Sequence, residues 1–152
     1  MKKVKLESKK IIGIAVRTTN ENAQAATDIG MLWEQLMAQN IVEQIPNKVS
    51  NAIYSVYTDY ESDYTKPYTV ILGCEVTDLT EMPEGMVSLT IAEANAAMFT
   101  VEGKLSDNIV YKGWENIWSM DLDRIYVADY EVYDERTTNP DQAEVDIFIG
   151  IK

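Results

Sequence analysis

The chain has 152 residues, of which 46% are hydrophobic and 25% are charged, and its net charge is −12. This size and balance are typical of one compact domain, and we expect a single domain over residues 1–152. The single cysteine, Cys74, excludes an intramolecular disulfide, and the complete lack of histidine excludes Ser-His-Asp catalysis and the common zinc sites. We therefore expect no catalytic residue of these kinds, no metal site and no cofactor.

The excess of acidic residues lies in residues 11–152, here called the body of the chain. Five of the 13 basic residues are lysines within the first ten positions, where Glu7 is the one acidic residue, so the remaining residues carry a net charge of −16. Such a body repels phosphate backbones, and we expect no direct nucleic-acid partner. No segment approaches the ~18 apolar residues of a membrane helix or has the apolar centre of a signal peptide. These observations predict a cytoplasmic protein without membrane contact.

The first half of the chain has the pattern β-α-β-β. The β-branched run at residues 11–16 predicts a buried strand. Apolar residues recur at spacings of three and four over residues 25–37, which predicts a helix with Asn22 as its N-cap. Residues 53–61 and 68–76 alternate as two further strands, separated by a polar loop that contains a proline.

The second half repeats this order after a turn signal near the middle of the chain. Residues 86–91 and 96–102 have an extended pattern, and Ser106 is the predicted cap of a helix that follows. Two strands then close the chain, over residues 124–133 and 144–151. The two halves therefore contain the same succession of elements.

An internal duplication accounts for this succession. The tripeptide Asp-Tyr-Glu occurs at residues 59–61 and again at residues 129–131, in strands that the pattern makes equivalent. We predict a first repeat at about residues 1–80 and a second at about residues 81–152. Two β-α-β-β units predict an α+β fold, with an antiparallel sheet, helices on one side and a cleft between the repeats.

The predicted strand at residues 124–133 carries two carboxylates. Alternation places Asp129, Glu131 and Tyr133 on one face together with apolar residues. A buried carboxylate costs several kcal/mol unless hydrogen bonds or a positive charge offset it. The chain offers nine tyrosines as donors, and a bound cation can supply the charge. Solvated edge carboxylates and ordinary core aromatics explain the same pattern, so both interpretations remain open here.

A family resemblance extends over nearly the whole chain. The residues that carry it are Ile29–Glu34, Ile45–Asn47, Tyr54–Glu61, Leu72–Val76, Asp129–Tyr133 and Glu144–Ile149. In order and spacing they resemble the GyrI-like small-molecule-binding domains, which are also the effector-binding domains of AraC-type and multidrug-sensing bacterial activators. The resemblance leaves no length for a helix-turn-helix, so we expect a standalone form, of a kind that also occurs among integron-cassette proteins.

The resemblance implies a duplicated β-α-β-β fold whose cleft has a glutamate on its floor, surrounded by aromatic rings. By its position in the closing strand pair, Glu131 matches that glutamate. The aromatic residues that the resemblance and the pattern offer for ligand binding are Trp33, Tyr54, Tyr57, Tyr68, Trp114, Tyr133 and Phe148. Residues 92–96 read Ala-Glu-Ala-Asn-Ala where relatives often have Pro-x-Gly-x-aromatic, which predicts a wider pocket or a changed ligand preference.

Three functions are compatible with these residues. The first is a binding module for lipophilic aromatic cations, without covalent chemistry, that serves as a transcriptional sensor or as a drug sink. The second is a hydrolase of reactive electrophiles such as cyclopropane-bearing genotoxins, with Glu131 as general base. The third is an acidic module that binds a basic protein or a separate regulator. We favour the first, and a homodimer through an exposed strand edge is compatible with all three.

Overall fold

The computed structural model describes residues 1–152, and its eight strands form one antiparallel sheet. The strands are β1 (Lys2–Leu6), β2 (Lys9–Thr18), β3 (Ile53–Thr58), β4 (Tyr68–Val76), β5 (Val87–Ile91), β6 (Ala94–Gly103), β7 (Ala128–Tyr133) and β8 (Ala143–Ile151). The helices are α1 (Gln24–Ala38), α2 (Ile41–Gln44) and α3 (Ile109–Trp118). The predicted α+β fold with an antiparallel sheet is confirmed. None of the helices has both the length and the apolar character needed to cross a membrane.

The strand order is β1-β6-β8-β7-β3-β4-β2-β5, so each half of the chain contributes strands in the same relative arrangement. Strands β3 and β7 pair at the centre and join the two halves. The outermost strands are exchanged, because β1 of the first half pairs with β6 and β5 of the second half pairs with β2. In each half of the chain, the predicted β-α-β-β unit is preceded by one further strand, β1 or β5. That strand pairs at the edge of the sheet with a strand from the other half of the chain.

Helices α1 and α3 lie on one face of the sheet and cover different strands. Helix α1 packs Leu32 and Leu36 on residues of β2 and β4, and α3 packs Ile117 on residues of β6 and β8. This separation follows from the apolar stripes of the two helices, each of which buries against the strands of its own half. Between the helices, the central strands β3 and β7 form the floor of a groove.

The pairing of β3 with β7 brings polar side chains to this floor. Ser55 lies opposite Glu131, and Tyr57 lies opposite Asp129. Directly opposed residues of an antiparallel pair share one face, so all four side chains are directed to the helix side. Residues 59–61 follow the end of β3, so the tripeptide there is not the structural counterpart of residues 129–131 in β7.

The opposite face of the sheet carries a second apolar cluster that includes Tyr54, Tyr130 and Phe148. Their rings are in contact, with centroids 5.5 Å apart for Tyr54 and Tyr130 and 5.1 Å apart for Tyr130 and Phe148. Tyr54 and Phe148, which were predicted to line the cleft, therefore lie outside it on the opposite face. The physical reason is strand alternation, since Tyr54 stands three residues before Tyr57 on β3 and is directed to the opposite face.

The ends of several elements differ from the predictions. Asn22 has a φ of 53° inside a short 3-10 turn, and α1 begins after Ala23 instead. Helix α3 begins after Asn108, which has a φ of 56°, so Ser106 is not its N-cap. Strand β7 begins only at Ala128, because Tyr126 has a φ of 53° and interrupts the extended backbone there. Before this interruption Arg124 forms a bridge with Ile151, and the Ile125 amide donates to the Gly150 carbonyl, so the segment stays beside β8. The Arg124 side chain lies over the ring of Trp114 on α3.

Candidate functional site

A cavity of about 420 Å³ occupies the groove between α1 and α3. Nine of its 17 lining residues are tyrosine or tryptophan, so its wall combines apolar ring surface with hydroxyl and indole donors. The structure brings six of the predicted site residues together here: Trp33, Tyr57, Tyr68, Trp114, Glu131 and Tyr133. The remaining two, Tyr54 and Phe148, lie on the other face of the sheet.

Glu131 lies on the floor of the cavity, and only 2% of its surface is exposed. Its Oε2 accepts hydrogen bonds from Tyr57 Oη and Trp114 Nε1, both at 2.6 Å, and its Oε1 accepts one from Tyr133 Oη at 2.5 Å. Burial raises the pKa of the Glu131 carboxyl, and these three hydrogen bonds act in the opposite direction. The carboxylate is therefore solvated by the protein.

No basic side chain balances the charge of Glu131. The five ion pairs of the structure involve other acidic residues, and the three partners of Glu131 are neutral groups. Burial, together with Glu131 itself, raises the pKa values of Tyr57 and Tyr133 well above the usual value, so both remain protonated donors. An ionised Glu131 therefore gives the cavity a net negative floor that attracts a cation.

Asp129 is the second buried carboxylate of β7, and its charge is balanced. Its Oδ2 accepts from Arg124 Nη2 at 2.8 Å and from Tyr60 Oη at 2.5 Å, and its Oδ1 accepts from the Gly150 amide at 2.7 Å. Burial alone lowers the pKa of Arg124, but the neighbouring Asp129 carboxylate outweighs this and raises it. The opposite charges of the pair therefore offset each other.

Arg124 is held between aromatic rings. Its Cζ lies 4.2 Å from the centroid of the Tyr126 ring and 5.9 Å from that of Trp114. Its Nε and Nη1 are buried and have no hydrogen-bond partner, and the guanidinium lies over the two ring faces. The residue lines the cavity, but the hydrogen bonds of its guanidinium are made with Asp129 alone.

The aromatic walls are built from interlocking pairs. Tyr57 and Trp114 meet edge to face at 5.1 Å between centroids, and Tyr64 and Trp118 stack in parallel at 5.4 Å. Eleven of the 17 lining residues were not predicted from the sequence, and five of these eleven have aromatic or charged side chains. These five are Tyr60, Tyr64, Tyr111, Trp118 and Arg124. The apolar stripe of α3 includes Trp118 and could have indicated it. The positions of the other four side chains depend on loop conformation or on the rotation of α3 about its axis, which local sequence does not give.

Neither a reactive thiol nor a metal-binding cluster accompanies the carboxylate of the site. The one thiol, Cys74, is fully buried in the core beneath α1, and burial raises its pKa to about 11. No cluster of three or more Cys, Asp or Glu residues is arranged to hold a metal ion. A carboxylate surrounded by donors and flat rings is suited to holding a flat or bulky aromatic cation by charge and by ring contact.

One protein family matches almost the whole chain. The model of the Cass2 family, described as integron-associated effector binding protein, matches residues 4–151. The chain belongs to this family. The resemblance found in the sequence is thereby confirmed, including its association with integron cassettes. Among curated proteins, the Cass2-family chain is similar to YobU of Bacillus subtilis (strain 168), named "Putative transcriptional regulator protein", with 28% identity over 97% of this chain and 94% of that one.

Solved structures share the fold over almost their full length. The integron cassette protein VCH_CASS2 from the mobile metagenome of Vibrio cholerae is 25% identical, with a TM-score of 0.77 over 99% of this chain and 95% of that chain. SAV2435, solved bound to tetraphenylphosphonium, has a TM-score of 0.81 at 15% identity over 99% of this chain and 93% of its own. The Cass2-family chain thus shares its fold with both of these proteins.

Proposed function

We propose that the protein binds lipophilic aromatic cations in the cavity between α1 and α3, with the Glu131 carboxylate as the charge partner. The observation that carries the proposal is the surroundings of Glu131: a carboxylate that is 2% exposed, has three neutral donors and forms no ion pair. A cation that enters the cavity supplies the missing positive charge without displacing a basic residue of the protein.

The expected interaction energies support this ligand class. A cation about 4 Å from a carboxylate gains about 4 kcal/mol at the effective dielectric constant of a partly buried site. Each favourable contact of the cation with a tyrosine or tryptophan face adds roughly 0.5 to 2 kcal/mol. For a pocket of this kind we expect micromolar dissociation constants, or about −8 kcal/mol. Because charge and flat rings recognise many compounds, we expect broad rather than single-ligand specificity.

The comparisons support the proposal at the level of ligand class. The family is described as effector-binding, and SAV2435 was solved with a bound aromatic cation, tetraphenylphosphonium. The name of YobU refers to transcriptional regulation. On this basis we propose that cation binding serves either to report the compound to a separate transcription regulator or to sequester it.

Isothermal titration calorimetry with two ions of one shape and opposite charge tests the proposal. Tetraphenylphosphonium is expected to bind the parent protein with a micromolar dissociation constant, and tetraphenylborate is expected not to bind. Glu131→Gln is expected to weaken binding of the cation at least tenfold, because the amide keeps the size of the side chain and removes its charge.

Glu115→Gln is the matched control. Glu115 is exposed on α3 and does not line the cavity, so this change alters the net charge equally without touching the site. Its affinity for tetraphenylphosphonium is expected to equal that of the parent. Equal loss in both variants, or equal binding of the two ions by the parent, would show that Glu131 is not the charge partner.

A further inference from the structure

The groove between the helices continues beyond the cavity that contains Glu131. A second cavity, of about 600 Å³, shares Trp33, Asn108, Val110, Tyr111 and Tyr133 with the first. Its own lining consists of Met37, Ile53, Leu105 and Thr137. Three of these four residues are apolar, so the second cavity has no charged group that would hold a polar ligand by itself.

The side chains of Trp33 and Tyr133 stand between the two cavities. Their rings meet edge to face with centroids 4.9 Å apart, and both residues line both cavities. Tyr133 is also the residue that donates to Oε1 of Glu131 at 2.5 Å. The boundary of the second cavity is therefore in direct contact with the carboxylate on the floor of the first, and a ligand at Glu131 lies beside it.

The second cavity extends along α1 for about one helical turn. Met37 follows Trp33 by four residues, which corresponds to about 6 Å along the helix axis. Met37 and Tyr111 remain more than half exposed at this end, although both are apolar or aromatic. Methionine adapts its shape readily and is common where a surface receives varied apolar ligands. The exposed apolar surface at this end of the groove is therefore available to a ligand.

We propose that the second cavity is a subsite for the apolar arm of an elongated amphipathic cation whose charged head lies at Glu131. This inference rests on the proposed function, because the head group positions the arm. It narrows the ligand class from aromatic cations in general to cations that carry an alkyl or aryl extension on one side. The arm passes the Trp33 and Tyr133 pair and lies against Met37, Ile53 and Leu105.

A chain-length series tests the subsite. Methyl- to hexyltriphenylphosphonium share one permanently charged head, and their dissociation constants are measured by calorimetry with the full-length protein. We expect affinity to rise about two- to fourfold per added methylene as each group is buried, and to level off once the chain reaches solvent beyond Met37. The double variant Met37→Gln/Leu105→Gln is expected to bind the methyl compound like the parent and to lose most of the dependence on chain length.

Met31→Gln is the control, because Met31 is exposed on the same helix and lines neither cavity. It is expected to keep the chain-length dependence of the parent. If the methyl compound binds through Glu131 but affinity is independent of chain length, the subsite is wrong and the proposed function stands. The subsite is also wrong if the double variant keeps the parental dependence. If the methyl compound does not bind at all, both proposals fail.

Discussion

The two buried carboxylates of β7 lie two residues apart on one face of one strand, and they are neutralised in different ways. Asp129 is fully buried and forms an ion pair with Arg124, with two further donors on its remaining lone pairs. Glu131 is equally buried but has only neutral donors. Asp129 is thus satisfied within the protein, whereas Glu131 has hydrogen bonds but lacks a counter-charge.

This difference separates a structural role from a binding role. An ion pair in the interior resists exchange, because removing either partner leaves an unpaired charge in a medium of low dielectric constant. A carboxylate that is hydrogen-bonded only by neutral groups remains available to an external cation. Its pKa is raised because burial makes ionisation unfavourable when no cation is bound. The pairing of Arg124 with Asp129 also keeps the guanidinium away from Glu131, where it would compete with a cationic ligand.

The largest effect is expected on stability, from breaking the ion pair. Asp129→Asn leaves the Arg124 charge buried and places an amide where Gly150 donates, so we expect a loss of about 3 to 5 kcal/mol in the free energy of unfolding. For a domain of this size the midpoint of thermal unfolding falls by about 6 to 20 °C. Urea unfolding followed by circular dichroism measures the loss.

Two comparison variants sharpen this prediction. Glu131→Gln is expected to change the free energy of unfolding by only about 1 kcal/mol, because no opposite charge is left unpaired. The double variant Arg124→Gln/Asp129→Asn is expected to recover part of the stability lost by Asp129→Asn alone. A loss as large in Glu131→Gln as in Asp129→Asn would contradict the distinction between the two carboxylates.

A smaller effect is expected on the pH dependence of ligand affinity. Burial raises the pKa of Glu131 above its usual value of 4.5, so the carboxyl of the free protein stays protonated and neutral to a higher pH. A cation favours the ionised form and lowers the pKa in the complex. Affinity for tetraphenylphosphonium should therefore rise with pH between the pKa of the complex and that of the free protein, by up to tenfold per pH unit, and then level off.

The same linkage predicts the direction of the stability change without ligand. Because the folded protein binds this proton more tightly than the unfolded chain, the contribution of Glu131 to stability decreases as pH rises from the usual pKa of the carboxyl to its raised value. Subtracting the profile of Glu131→Gln isolates the effect from the other carboxylates. Parallel profiles of parent and variant, for affinity and for stability, would show that Glu131 does not titrate with a raised pKa.

The smallest effect is expected from removing one donor. Tyr133→Phe deletes the hydrogen bond to Oε1 of Glu131 and should raise the pKa of the carboxyl further, because one donor that favours the ionised form is lost. The rise in cation affinity then shifts to higher pH by the same amount. Tyr68→Phe is the control, because its hydroxyl lines the same cavity but donates to Asn20. A shift of equal size in the control would mean that the donors to Glu131 do not set its pKa.

Local periodicity predicted most of the fold, and the family resemblance pointed to Glu131 as the centre of the site. The alternation of residues 128–133 placed Asp129, Glu131 and Tyr133 on one face, as the structure has them. The same rule excludes Tyr54 from the cleft, since it stands at an odd spacing from Tyr57 on β3. Strand parity, applied together with the family resemblance, is therefore enough to correct this residue from the sequence alone.

Features that depend on distant parts of the chain could not be predicted in this way. The ion pair of Arg124 with Asp129 depends on the strand interruption at Tyr126, which residues 124–127 do not indicate because their alternation continues that of β7. The exchange of β1 and β5 depends on partners more than 70 residues away. Pairings of this kind are decided by the closure of long loops and by the packing of the complete sheet, not by local preference.

The exchanged edge strands restrict how a ligand enters the groove. Strand β1 fastens the start of the chain to the second half, β5 fastens the second half to the first, and six opposed residue pairs join β3 to β7. A hinge that spread the halves apart would have to break all three junctions at once. A ligand therefore enters the groove through rotations of aromatic rings and motions of loops above a rigid floor. These motions occur in nanoseconds to microseconds, so the exchange of bound molecules need not wait for the slower opening of domains.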